Sequence, residues 1–460
     1  MQKPCQLSLH LFRRDLRLQD NTALIEALSS STSVIPCFIF DPRQLEQNEY
    51  RGEHCVAFMR QSLNELNEAL ESKGSHLFYF HGKAEDVVAN LISTHPIDAV
   101  YINRDYTPFS IQRDREIEKR CREHHIAFHC YADALLNEPE HIHKADHKPY
   151  TIFTPYRNQA IKYPVSTPVK NNSDHYYSQT LPQEATLATL PAIDYPNLST
   201  QGGRKQGLAL LKRVKSLENY AVSRDIPALN GTSKLSAHNK FGTISIREFY
   251  HTVLQAFGQS HMLLNELYWR DFFTHIGFHF PHVFGHAFHS KYDRIALKNN
   301  EAYFKAWCEG RTGFPIVDAG MRELNITGYM HNRVRMITAS FLTKDLHIDW
   351  RWGEKYFAKQ LVDYDPAVNN GNWQWAASTG CDAQPYFRIF NPWLQQQKYD
   401  PECIYIKRYL PELADLPPNV IHHLYQETAQ FSRQYPTPIV NHTVASSTAK
   451  LLYQAAQGQI

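Results

Sequence analysis

The chain has 460 residues, with 48 Lys and Arg against 46 Asp and Glu, for a formal net charge of +2. That length is enough for two or three domains, and the near-balance of charge neither demands nor excludes a polyanionic partner, which depends on basic residues clustering on one face. No apolar run of about 18 residues occurs, so no membrane span is expected, and the N-terminus lacks the order of a secretory signal. Residues 7–12, L-S-L-H-L-F, alternate like a strand, and 33–40, S-V-I-P-C-F-I-F, form a second apolar run that stops at Asp41-Pro42. Between them Asn21 to Leu28 reads as helix; 54–73 carries Phe58, Leu63, Leu66 and Leu70 at helical spacing; strand-like runs follow at 76–80 and 98–102. This alternation predicts an α/β domain with a Rossmann-like parallel sheet over residues 1–130.

From 131 to 205 the pattern weakens. Pro, Ser, Thr, Asn and charged residues dominate, as in T-P-V-K-N-N-S-D from Thr167, which reads as a long interdomain linker. Residues 206–460 then turn helical, with clear stretches at 206–220, 245–257, 262–278, 301–309, 315–325, 331–343 and 352–361. An all-α second domain is expected. Eight scattered cysteines include no C-x-x-C pair, so zinc and dithiol motifs are unsupported; they fit reduced thiols of a cytosolic protein. All seven tryptophans lie between Trp269 and Trp393. Whatever needs indoles is done in the helical half.

The densest segment is Asp363 to Trp375, D-Y-D-P-A-V-N-N-G-N-W-Q-W, with two acids, four amides and two indoles. On a helix Asp365, Asn369 and Trp373 share a face, and Trp375 points elsewhere. Acid, amide and indole together suit a flat, hydrogen-bonding heteroaromatic ligand; the plain alternative is an amphipathic helix whose rings fill a core. Thr232, Ser233, Lys234, Leu235 and Ser236 follow the turn dipeptide Asn230-Gly231. Hydroxyls beside free N–H groups can cradle a pyrophosphate, or simply cap a helix. Neither G-x-G-x-x-G nor G-x-x-x-x-G-K-[ST] is present.

In Asn265 to Arg270, N-E-L-Y-W-R, Glu266, Trp269 and Arg270 share a helical face, as a cavity wall or as a surface ion pair. In Met330 to Met336, M-H-N-R-V-R-M, Asn332 and Met336 share a face with Arg335 adjoining it, and Arg333 points away. That set suits a phosphate-bearing aromatic substrate, or a basic surface helix. Trp307, Trp350 and Trp373 are widely separated, and spacing alone assigns them only core packing.

Taken together these motifs resemble the DNA photolyases and cryptochromes. L-F-R-R-D-L-R-L-Q-D-N-T-A-L (Leu11 to Leu24) looks like the family's opening signature. T-S-K-L-S, N-E-L-Y-W-R-D-F, G-R-T-G-F-P-I-V-D-A-G-M-R from Gly310, G-Y-M-H-N-R-V-R-M and the Asp363 segment follow in order, and Y-P-T-P-I-V-N-H (Tyr435 to His442) resembles its close. The resemblance implies a U-shaped FAD in the helical domain. Tyr220 and Thr232 to Ser236 would hold its phosphates and ribityl chain. Asp363, Tyr364 and Asp365 would contact the isoalloxazine and adenine side, Arg335 would pair with Asp363, and Asn369 would face the flavin N5.

Within the family, Asn369 resembles photolyases, and Met336 the branch acting on cyclobutane dimers. Trp269 and Trp375 would sandwich an unstacked thymine pair. No long tail of the sort many cryptochromes use follows the flavin domain. The implied reaction is light-driven: excited, fully reduced FAD passes an electron to the dimer, the ring splits, and the electron returns. Glu266 would hydrogen-bond the dimer. Arg224, Asn332 and Arg333 would border the cavity and position DNA. Trp373 and Trp350 would be the inner electron relay, with catalytic Glu266 and Asn369 at the reacting centre.

Three departures stand out. Leu263 replaces a frequent Trp. Leu297 stands at the relay's surface end, for which Trp307 is the substitute. Phe109-Ser110 stands where folate-binding members carry Asn-Glu, so a deazaflavin, a second flavin or no antenna chromophore is expected before a folate. The other readings are a cryptochrome-like photoreceptor acting through a protein partner, and a flavin oxidoreductase without photochemistry. Damaged DNA is the expected partner of a cytoplasmic monomer without a metal or a membrane anchor.

Overall fold

The computed structural model describes every residue except 1–4, 191–194, 427–434 and 459–460. Strands and helices alternate from the start: β1 (Cys5–Phe12), α1 (Thr22–Ser30), β2 (Ser31–Phe40), α2 (Glu53–Glu71), β3 (Phe78–His81), α3 (Ala84–Thr94), β4 (Ala99–Asn103), α4 (Pro108–Glu123) and β5 (Ala127–Tyr131). The five strands form one parallel sheet in the order β3-β2-β1-β4-β5. Helices cover both faces, so residues pointing either way are buried, including Ser8 and His10 of β1. In β1, Leu7, Leu9 and Leu11 join the core under α3, while Phe12 joins the one under α1 and α2. The alternation seen in the sequence is thus between two buried faces.

The segment expected to be an irregular linker is partly ordered. It contains α5 (Phe153–Ala160), and it lies against the sheet, where Tyr176 bridges to Val34 and Ala185 to Tyr79. Residues 191–194 of that linker lie outside the described residues. Beyond it come α6 (Arg204–Arg213), α7 (Ser236–Phe241), α8 (Ile246–Phe257), α9 (Met262–His279), α10 (Glu301–Cys308), α11 (Pro315–Thr327), α12 (Asn332–Ser340), α13 (Trp350–Gln360), α14 (Pro366–Ala377), α15 (Pro392–Tyr399), α16 (Ile404–Tyr409) and α17 (His442–Ala456). Each expected helical stretch is present. The one read over 206–220 breaks into a 3-10 turn at Val214–Ser216, and the one read over 331–343 runs into a π turn from Phe341 to Asp345.

The two halves meet along buried charge. Arg17 reaches both oxygens of Asp133 at 2.7 and 2.9 Å, and Arg247 on α8 reaches Asp133 at 2.8 Å and Asp20 at 2.9 Å. Burial alone would raise the Asp133 carboxyl, but these two guanidinium groups hold it at about 2.

Candidate active site

Helices α9 and α12 both pack on α14, and α13 packs on its other side. That arrangement gathers the residues that the sequence pattern singled out. Asp365 is not within α14 but caps it, accepting from the N–H groups of Ala367 at 3.1 Å and Val368 at 3.3 Å. Asn369 and Trp373 follow on the helix, both buried. Asn369 donates to the Glu354 side chain and to its carbonyl, both at 3.1 Å. Trp373 lies across Gly353, where any Cβ would collide with the indole. Both partners come from α13, which is why that helix can approach so closely. Gly353 and Glu354 carried no signal of their own in the sequence, and only the pairing of α13 with α14 exposes their part.

The residues around a dinucleotide's expected place fit one. Arg335 makes a two-pronged pair with Asp363 at 3.0 and 3.2 Å, while its Nε donates to the Met330 carbonyl at 2.7 Å. Tyr364 stacks on Tyr50 with ring centroids 6.3 Å apart. The 232–236 hydroxyls do not cap α7: its N-cap position is Leu235, and no side chain covers its first turn. Those N–H groups remain available for a phosphate. The cradle is held in shape from outside. Arg213 donates to the carbonyls of Asn230, Thr232 and Ser233, Lys234 takes a left-handed φ of 55°, and a Cβ at Gly231 would come within 2.6 Å of the Ser223 carbonyl. Ser236 is exposed, and Tyr220 is buried beneath the Arg224 guanidinium.

On the other side of α14, Glu266 pairs with Arg224 from the neighbouring chain segment, not with Arg270 on its own helix. Burial lifts the Glu266 carboxyl above its ordinary range and Arg224 works against that lift. Arg270 instead donates to the Ala134 carbonyl at 2.6 Å. The Trp269 indole is sandwiched between Phe153, stacked with centroids 3.6 Å apart, and Phe273 at 5.5 Å. Trp269 was expected to form one side of a sandwich around an unstacked thymine pair; Phe153 on α5 stacks on one of its faces and Phe273 on the other. Trp375 is half-buried and borders an apolar hollow of about 310 Å³ with Phe273, Ile276 and Phe288. Asn332 is exposed, with its amide nitrogen 4.0 Å from the Met336 sulfur.

Arg224 and Arg333, expected to border the cavity and position DNA, are both engaged in ion pairs. Arg224 is committed to Glu266, and Arg333 donates to Asp225 at 2.8 Å with its guanidinium 4.4 Å over the Tyr399 ring. The exposed cation nearby is Arg388, four residues beyond Gln384, whose N–H bonds the Trp375 carbonyl.

Trp307 also departs from its expected role as the relay's surface end. It is fully buried, 6.2 Å from Trp373. Its ring stacks near Phe304 at 5.9 Å, and Phe304 meets Trp352 at 5.2 Å. Trp352, overlooked in the sequence pattern, is the indole of this group that reaches solvent. Trp350 is buried beside Leu297 in a separate hollow of about 320 Å³. Leu263 is core.

Family comparisons agree with this geometry. A profile for DNA photolyase matches residues 8–171, and one for the FAD binding domain of DNA photolyase matches 262–455. The deoxyribodipyrimidine photo-lyase of Salmonella typhimurium is 39% identical over 97% of this chain and 98% of its own length, and that of Escherichia coli is 38% identical over 98% and 99%.

The chain belongs to the DNA photolyase family.

A Sulfolobus tokodaii photolyase whose crystal structure holds two FAD molecules is 47% identical, with a TM-score of 0.88 over 98% of this chain and 100% of that one. A class III photolyase from Agrobacterium tumefaciens is 34% identical, with a TM-score of 0.93 over 100% and 99%. A Synechocystis cryptochrome is 30% identical, with a TM-score of 0.90 over 98% and 100%. Membership brings with it an FAD-binding helical domain and light-driven DNA repair. No helix among the described residues is long and apolar enough to cross a membrane, and no cluster of metal-binding side chains occurs among them.

Glu354 gives this photolyase a measurable pH signature. Burial pushes its carboxyl up to about 7, against bonds from Asn369 and Tyr50. Asp271 at about 7 and Asp345 at about 6 are raised in the same way. A folded-state pKa above the unfolded one stabilises fully below the unfolded value, 4.5 for Glu354, and that contribution is lost as pH rises through about 7. Glu354→Gln should therefore shrink the fall in stability between about pH 4 and 8 by a few kcal/mol, on the order of 3. Denaturant titrations across that range measure it. An unchanged slope would exclude Glu354 as a titrating group.

Proposed function

We propose that this photolyase splits cyclobutane pyrimidine dimers, and that the meeting of α9, α12 and α14 forms its catalytic centre. The observation that most supports this is Asn369, held in one orientation by Glu354, on the same helix as Trp373 and Trp375 and opposite Glu266 and Met336. When bound, FAD supplies the photoexcited electron. Tyr220 and residues Thr232, Ser233, Lys234, Leu235 and Ser236 hold the phosphates and ribityl chain; Arg335, Asp363, Tyr364 and Asp365 line the ring and adenine. Asn369 presents its amide to the N5 edge. Glu266 accepts or donates a hydrogen bond at the base edge of the flipped dimer, and Arg224 fixes its direction. Trp375 offers stacking worth roughly 1–3 kcal/mol per base, against an unstacking cost of a few kcal/mol, and Trp269 meets the dimer with its edge. Asn332 and Met336 border the lesion.

The relay starts at Trp373. Two routes leave it, one through Trp350 and one through Trp307 toward Trp352. The Trp350 route meets Leu297 instead of another indole, so the Trp307 route is our choice for the path to solvent.

A second chromophore fits the cleft at the carboxyl ends of β1 and β4, where the strand order reverses, the position at which open α/β sheets bind ligands. The cleft is lined by Arg13, Arg14, Arg104 and Arg270 and, in equal number, by Asp15, Asp105, Asp133 and Asp365. The Sulfolobus structure with two FAD molecules favours a flavin. Phe109 lies under Arg43 and Arg113, and Ser110 is spent on Asp105 and Thr107, leaving no acid–amide pair for a folate. We take residues 1–130 as the antenna domain, 131–205 as the connection and 206–460 as the catalytic domain of a cytoplasmic monomer.

Five outcomes are expected. With FAD reduced, near-UV or blue light should restore thymine absorbance in a dimer-bearing oligonucleotide; no recovery would falsify the assignment, and repair of (6-4) products alone would move the protein to another branch. Trp373→Phe should slow photoreduction of oxidised FAD at least tenfold while chemically reduced enzyme still repairs. Trp307→Phe should slow photoreduction more than Trp350→Phe, and the reverse order would return the relay to Trp350. Finally, Arg388→Ala should reduce the slope of log K against log salt by about 0.9 for damaged and intact duplexes alike. Trp375→Ala should weaken damaged DNA alone, by roughly 1–3 kcal/mol; equal losses on both duplexes would erase the division between phosphate and base contacts.

A further inference from the structure

The turn after β1 touches both chromophore sites at once. Arg14 lines the cleft at the sheet edge, where NH1 donates to Asp105 at 3.1 Å. Its NH2 pairs with Asp365, the cap of the helix that carries Asn369 and Trp373. Its Nε donates to the Lys240 carbonyl on α7 at 3.2 Å. The turn is tied to α7 again through the Leu16 N–H on the Phe241 carbonyl at 3.0 Å. Gly242, at a left-handed φ of 62°, ends α7 so close to the Arg14 carbonyl that a Cβ there would collide with it. The opposite end of α7 is the phosphate cradle, and a six-residue helix is only about 9 Å long, so it moves as one piece.

We propose that Arg14 couples the two sites, so that filling either one tightens the other. The inference rests on the FAD and second-chromophore readings above. A guanidinium has five N–H donors. Three are engaged, with Asp105, Asp365 and Lys240, and two remain for an acceptor in the cleft. A chromophore phosphate or carbonyl accepting those two immobilises Arg14, and with it the α14 cap and the α7 terminus. FAD then meets a site whose ordering has already been done. Cooperativity of this kind needs no large movement, and by linkage the factor is the same in both directions.

Arg14 acts here as a positioning residue, so the test reads a ratio of affinities. FMN serves as the cleft probe. FAD affinity of the full-length apoprotein is measured with and without saturating FMN, and FMN affinity with and without FAD. The expected coupling is at least about fivefold, equal in both directions. Arg14→Lys keeps the charge but loses the fork, and should bring the factor close to one. Asp105→Asn, which makes no hydrogen bond to α7 or α14, should lower it as well and stands in if Arg14→Lys fails to fold. A purely structural role would weaken each affinity and leave the ratio intact, which would overturn the proposal. So would a wild-type factor of one, whether or not FMN binds. Repair by FAD-reduced wild type, assayed separately, distinguishes failure of the coupling from failure of the photolyase assignment.

Discussion

Two buried aspartates at the seam between sheet and helices are the constraint on which the rest depends. Asp20 follows β1 and Asp133 lies just beyond β5, at the start of the connection, and the cations that meet them come from both sides: Arg17 from the turn after β1 and Arg247 from α8. Forming such pairs gains little over a packed apolar seam, because desolvation offsets the attraction, but removing one partner strands a buried charge at about 3–5 kcal/mol. The pairs therefore act chiefly as a registration device. They allow one placement of α8 against the sheet, and the turn carrying Arg14 is thereby set against α7 and α14.

The catalytic centre is built in the same currency. The core face of α14 buries Asn369, Asn370 and Gln374 beside Trp373. Each amide has a fixed partner: Asn369 on Glu354, Asn370 on the Val283 carbonyl, Gln374 on the carbonyls of Val283 and His286. A satisfied polar network in a low-dielectric interior resists rearrangement, because any alternative leaves a group unpaired. That rigidity is what an electron-transfer centre requires of its walls.

Much of this was legible locally. β1 to β4 show up as short apolar runs because a parallel sheet is buried on both faces. β5 escaped notice because its edge position leaves Ala127 and Cys130 exposed. α4 was hidden by charge: among its sixteen residues only Ser110, Arg113, Ile117 and Cys121 are buried. The helix read over Asp363 to Trp375 starts at Pro366 with Asp365 as its cap, and of its amides Asn369, Asn370 and Gln374 face inward while Asn372 is exposed. What local pattern could not supply is pairing across the chain. Nothing near Arg14 announces Asp365, nothing near Trp269 announces Phe153, and the linker's composition concealed that α5 covers an indole. The ion pairs of Arg224 and Arg333 were hidden for the same reason, since Glu266 and Asp225 reach them from other segments. Trp307 was placed at the relay's surface end only as a substitute for the position that Leu297 occupies, and a resemblance carries no depth.

The depth of Trp307 has a chemical consequence. Its indole N–H donates to the Thr338 carbonyl at 3.1 Å, in a place with no solvent. A backbone carbonyl is a hydrogen-bond acceptor but not a base, so an indole oxidised there keeps its proton and its positive charge. A cation that cannot deprotonate is a stepping stone; it passes its deficit onward or takes the electron back. Trp352, open to water, can release its proton and become neutral, which stops the return. On the proposed route the interior ring would conduct and the surface ring would lock, and the difference between them is access to a proton acceptor.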